Sequence, residues 1–155
     1  AMKKGTVRDT IIDTWEDEPS IHLDTAGAAF LKTPHIAGYS VQAKQNAYKF
    51  IANELITHFG LKRPQNKGKD STTAFNKNIS RFDSVSRVLS QLHPINEYEK
   101  RLATIIKEYP EKRSELFNQL RAEYPLRQQF AQIQLPPNYF ERYPILDNLG
   151  FSKIS

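Results

Sequence analysis

Apolar side chains return at three- and four-residue spacing over one long stretch of the chain. Ala43, Ala47, Phe50, Ile51, Leu55 and Phe59 share a face, with polar residues between them. That period predicts an amphipathic helix of about five turns at 3.6 residues per turn. Ser40 suits its N-cap, because a serine hydroxyl accepts from the free amides of a first helical turn. Gly60 suits its end, where a left-handed residue closes a helix without a Cβ clash.

Other patterns are shorter. Ile11 and Ile12 sit between Thr and Val residues and are followed by an acidic turn and Pro19, which predicts one buried strand and then a loop. The segment Ser20–Lys32 is rich in small and turn residues, and fits either a short helix or a strand near Ala28 to Leu31. Pro34 biases Thr33 away from the helical region, so the chain reaches His35 extended. Residues 61–80 carry no sustained period and are rich in Lys, Asn, Ser, Thr, Gly and Pro. They read as a linker with a short ordered contact at Phe75 or Ile79. Beyond it the pattern is helical. The stretch 82–92 is weakly amphipathic; Tyr98, Leu102, Ile105 and Ile106 share a face, as do Leu116, Phe117 and Leu120. Pro110 and Pro125 break these helices apart, and residues 144–151 read as a closing turn stopped at Gly150. The fold class expected is mainly α with a small α/β remnant, divided as 1–60, a linker 61–80 and a helical 81–155.

Composition narrows the function. The chain has 155 residues and no cysteine, so it has no disulfide, thiolate metal site or cysteine nucleophile. No metal site is expected. A net charge of +5 permits anionic ligands, but the basic residues are scattered, and the mild excess reads as a solvated surface. A nucleic-acid partner is not expected. No run approaches the roughly 18 apolar residues of a membrane span, so no membrane partner is expected either, and no apolar leader is visible. A cytoplasmic location is the expectation. Ala1 ahead of Met2 reads as a cleavage scar.

The chemistry-bearing stretch is Thr33–Ser40, "TPHIAGYS". A histidine in an apolar run is usually a packed one, but two neighbours sharpen His35. Gly38 lies three residues on, at the mouth of the helix capped by Ser40, where a ligand can approach the backbone and an anion is favoured. The acidic cluster Glu16, Asp17 and Glu18 precedes it. Imidazole is the usual proton carrier at neutral pH, and a carboxylate against one ring nitrogen fixes its tautomer. Two loops, each ending a strand, can bring Glu18 to His35. Glu16 and Asp17 read as solvated, Trp15 as packing, and His22, His58 and His93 have no constellation.

"DTWEDEP" followed by "TPHIAGYS" resembles the end of the nucleotide-binding domain of the D-isomer-specific 2-hydroxyacid dehydrogenases. The likeness covers about residues 5–60. A weaker one, through Phe117, Leu120, Arg121, Tyr124, Arg127, Phe130 and Leu149-Gly150-Phe151, resembles an extra C-terminal dimerisation domain of one subfamily. The resemblance implies the end of a Rossmann-type domain followed by a helical dimerisation domain. It implies a C-terminal piece of an enzyme that uses NAD to oxidise a phosphorylated 2-hydroxy acid. By that resemblance His35 is the general acid/base and Glu18 the carboxylate that pairs with it. Asp13 contacts the nicotinamide carboxamide or its ribose, Gly38 lies against the nucleotide, and Tyr39 touches the substrate at its phosphate end. The 6 glycines include no G-x-G-x-x-G loop, and no arginine matches the one that orients the substrate carboxylate. The chain alone is therefore expected to be inactive.

The helix after His35 would leave Phe50, Ile51 and Leu55 uncovered unless the C-terminal helices or another copy of the chain covers them. A homodimer with exchanged helices is expected. The alternative to a dehydrogenase portion is a non-enzymatic helical interaction module.

Overall fold

The computed structural model describes residues 5–63 and 84–154. β1 (Ile11–Ile12) and β2 (Leu31–Lys32) pair in parallel, with Ile11 opposite Leu31 and Ile12 opposite Lys32. Parallel neighbours need a crossover, and α1 (Leu23–Ala28) supplies it. The ambiguous segment thus holds both elements, a helix and then a strand. β1 is less buried than its apolar pair suggests: Ile11 is 73% exposed. Among the described residues its sheet has two strands, β1 and β2.

α2 (Val41–Phe59) runs between the expected caps. The Ser40 hydroxyl accepts from the Ala43 amide at 3.0 Å. Gly60 adopts φ 60°, and its amide closes on the Ile56 carbonyl. α3 (Val85–Leu92), α4 (Ile95–Glu108) and α5 (Arg113–Glu123) follow. A single 3₁₀ turn, Pro110–Lys112, separates the last two, as a proline without an amide donor requires. Then come β3 (Gln134–Leu135), α6 (Pro137–Arg142), α7 (Ile145–Asn148) and β4 (Ser152–Lys153). The chain is mainly helical. β3 and β4, a second parallel pair, and α6 have no counterpart in the sequence reading, because two-residue strands show no alternation. The linker contact expected at Phe75 or Ile79 lies outside the described residues.

Contacts gather the chain into two compact units. The first joins residues 1–38 to 90–125. In it α4 packs on both α5 and β2, and Ala26, Ile36, Leu102, Phe117 and Leu120 are all but inaccessible. Lys32 at the end of β2 pairs with Glu99 of α4 at 3.0 Å, the two side chains only 13% and 22% exposed. The second unit joins residues 39–89 to 126–155. Val88, Ile133, Leu135, Phe140, Leu146 and Phe151 are buried there, and Phe130 stacks on Phe151. Ser40 forms a bridge with Arg127. No residue of α2 is buried. Phe50 and Phe59 are 66% and 64% exposed, so among the described residues the apolar face of α2 stays open.

Candidate active site

Two loops of the first unit meet where β1 and β2 end. The first begins at Asp13 and carries Trp15 and Glu18; the second runs from Thr33 to Gly38. Parallel strands point their carboxyl ends the same way, so both loops leave the sheet on one side. Side chains then tie one loop to the other. The Trp15 indole donates to the Thr33 carbonyl at 2.9 Å. Asp13 Oδ1 accepts from the Thr33 hydroxyl at 2.7 Å and from the Ile36 amide at 2.8 Å. Asp13 Oδ2 accepts from the Ala37 amide at 3.0 Å.

Glu18 Oε2 lies 2.8 Å from His35 Nδ1, inside the hydrogen-bond reach that an acid/base pair needs. Its other oxygen accepts from the Trp15 amide at 2.9 Å. Glu18 is therefore held from the backbone on one side and presents its second oxygen to the imidazole. The Glu18 side chain is 17% exposed and that of His35 41%. The carboxylate is shielded while the ring keeps contact with solvent. With Nδ1 turned to Glu18, Nε2 is the nitrogen left for a ligand. His35 itself takes φ 57°, a left-handed conformation unusual for a residue with a Cβ, though histidine is among the enriched exceptions.

Arg121, on α5, brings its guanidinium Nη1 to 3.9 Å from Glu18 Oε2. Its buried Nε finds no acceptor among the described residues. Sequence reasoning did not place it at this site: it lies far downstream, and only its position in the weaker resemblance singled it out. Thr33 and Trp15 were also missed as parts of the site, since a lone threonine or tryptophan carries no spacing signal.

The remaining expected residues are placed as follows. Gly38 is exposed, and a Cβ added to it would meet nothing within 4 Å, so its backbone is open to close approach. Tyr39 begins the second unit; there its carbonyl accepts from the Arg127 amide at 3.2 Å, and the Lys44 amine lies 4.4 Å over its ring. Glu16 and Asp17 are exposed, and Asp17 meets His22 at 3.1 Å. His93 engages the Tyr124 hydroxyl. A groove of about 570 Å³ lies on α4 and α5, lined in part by Lys100, Arg101, Ile105, Tyr109 and Leu116, and includes none of the expected site residues. Among the described residues no three His, Asp or Glu side chains gather to hold a metal ion, and no helix is long and apolar enough to cross a membrane.

No family model matches the chain. Curated proteins do. It is 32% identical over 130 residues to the erythronate-4-phosphate dehydrogenase of Coxiella burnetii, a match covering 83% of this chain and 34% of the relative. To the protein of that name from Bacteroides thetaiotaomicron it is 30% identical over 129 residues, again 83% and 34%. To that of Marinobacter nauticus it is 28% identical over 140 residues, 86% and 36%. The chain spans about a third of the length of the curated relatives it matches. Over most of its own length it is similar to these dehydrogenases.

Proposed function

We propose that this relative of the erythronate-4-phosphate dehydrogenases is the acid/base portion of an NAD-dependent enzyme. That enzyme would oxidise 4-phospho-D-erythronate to its 2-oxo acid, a step toward pyridoxal phosphate. The observation that carries the reading is the 2.8 Å contact between His35 Nδ1 and Glu18 Oε2. It orients the ring, fixes Nδ1 as a donor and leaves Nε2 to take the substrate hydroxyl proton. The shielded carboxylate stabilises the imidazolium so formed, as in other histidine–carboxylate pairs. The open backbone at Gly38 fits close approach of a dinucleotide. Asp13 keeps spare acceptor capacity beside it, since a carboxylate offers about four lone-pair sites and three donors are seen. When bound, the nicotinamide supplies the hydride acceptor.

The test joins this segment to the remaining two thirds of the Coxiella burnetii relative and follows NADH formation from 4-phospho-D-erythronate. Turnover is expected, falling about 10²–10⁴-fold in His35→Gln, the usual worth of a positioned proton carrier. A folded chimera without turnover, or His35→Gln within twofold of it, would refute the reading. The chain by itself is expected to turn over nothing, having no glycine-rich phosphate loop. Any nucleotide binding that the chain has by itself would read out as quenching of the lone Trp15 by NADH, lost in Gly38→Leu.

A second reading rests on α2. Tyr48, Phe50, Ile51, Leu55 and Phe59 are all about half exposed or more, a patch of the kind that marks interfaces. Two copies pairing through this face, with helices exchanged, would cover it. Sedimentation should show a dimer that Phe50→Glu dissociates; a monomer at high concentration would sink this reading.

A further inference from the structure

The carboxylate of Asp13 reaches both sides of His35 in the chain. It accepts from Thr33 before it and from Ile36 and Ala37 after it, at 2.7, 2.8 and 3.0 Å. Thr33 and Ile36 are buried, with 3% and 1% of their surface exposed. The Thr33 hydroxyl and the Ile36 amide have little access to water and turn to this one acceptor group, while the Thr33 amide pairs with the Ile12 carbonyl. Between them His35 holds φ 57°. Such a backbone persists only where surrounding contacts over-determine it. A left-handed residue turns the chain sharply, and here it aims the amides that follow His35 back toward the end of β1, where Asp13 waits.

We infer that Asp13 is a positioning residue: beyond any contact with a nucleotide, its carboxylate clamps the Thr33–Ala37 turn and so holds the His35 ring on Glu18. Without the clamp the buried Thr33 hydroxyl and Ile36 amide lose this acceptor, and the turn has less reason to keep its middle residue left-handed. Relaxing φ at His35 swings the Cα–Cβ direction, and the ring leaves the carboxylate. Two further hydrogen bonds, from the Trp15 indole to Thr33 and from the Trp15 amide to Glu18, brace the same loops. Neither involves the Ile36 amide. The inference rests on the reading of His35 as the proton carrier, but its test does not need turnover.

The test uses the ¹⁵N-labelled full chain and two readouts. Long-range proton–nitrogen correlations report the tautomer and hydrogen bonding of the His35 ring. Amide exchange reports Ile36 and Ala37, with Leu120 on α5 as the folding control. In Asp13→Ala the Ile36 and Ala37 amides should exchange at least about tenfold faster while Leu120 stays protected. The His35 ring signals should move to those of a solvated imidazole. A nucleotide contact alone predicts lower NADH affinity with ring signals and both amides unchanged, and that result overturns the inference. If Asp13→Ala does not fold, Thr33→Val removes a single donor and keeps the carboxylate. The ring signals should then shift part of the way; an unchanged ring overturns the inference. Failure of the chimera to oxidise its substrate would remove the dehydrogenase reading and leave these loop measurements standing.

Discussion

Lys32→Met is the sharpest probe of how the α/β portion of the first unit is fastened to its helices. The Lys32 ammonium and the Glu99 carboxylate meet at 3.0 Å with 13% and 22% of their side chains exposed. At that separation and an effective dielectric near 20, the attraction is about 5–6 kcal/mol before desolvation is charged against it. Breaking a fully buried pair from one side costs about 3–5 kcal/mol, because the orphaned charge stays inside. Partial exposure lets water reach Glu99, so the expected loss is smaller, about 1–3 kcal/mol. For a chain of this size that is a fall in Tm of about 2–4 °C per kcal/mol, or roughly 4–8 °C for the middle of the range. Circular dichroism at 222 nm during heating and in urea measures it. The double variant Lys32→Met/Glu99→Met removes both charges and should recover most of the loss, giving a coupling above about 1 kcal/mol in the cycle. A single variant within 1 °C of the parent, or strictly additive effects of the two changes, would refute the argument that this pair anchors β2 to α4.

Three further outcomes are expected. Leu102→Ala empties a fully buried position and should cost about 2–5 kcal/mol in urea unfolding, the range for such cavities. Ser40→Ala removes the hydroxyl that accepts from Ala43 and should cost about 1 kcal/mol, with fraying seen as faster exchange in the first turn of α2. Arg101 donates to Glu123, and this bond, with another from Gln119, holds the Glu123 carboxyl below its ordinary value of 4.5. A lowered folded value means the unfolded chain binds the proton more readily. The contribution is full above the ordinary value and is lost as pH falls through the lowered one. Glu123→Gln should therefore flatten the acid side of a Tm-versus-pH curve and leave neutral-pH slopes unchanged.

Local signals in the sequence proved good at ends and poor at surroundings. Ser40 and Gly60 announced α2 to the residue, because caps are set by local hydrogen bonds and φ preference. The pairing of Glu18 with His35 was legible as two strand-ending loops, although nothing in the spacing could supply the distance. The left-handed His35 was hidden, since its conformation is imposed by Asp13, more than 20 residues earlier, and not by its neighbours. Arg121 was hidden as a site residue for a similar reason: it arrives through the packing of α5, a long-range event without a local pattern. Exposure misled in both directions. Ile11 looked like core but lies open on a two-stranded sheet, while the small residue Ala26, unremarked in the sequence, is completely inaccessible.

The backbone at position 35 acts as a filter on what evolution can try there. Among residues that can carry a proton, lysine, glutamate and tyrosine fit a left-handed site poorly, whereas histidine and aspartate tolerate it. The turn thus narrows the choice of side chain before any selection for chemistry acts. A lineage that drifted from histidine would have aspartate, asparagine or glycine nearest to hand. Of these only aspartate titrates, and it would face Glu18 as a like charge. Fold and chemistry therefore converge on one residue type at this position, which makes the histidine hard to replace.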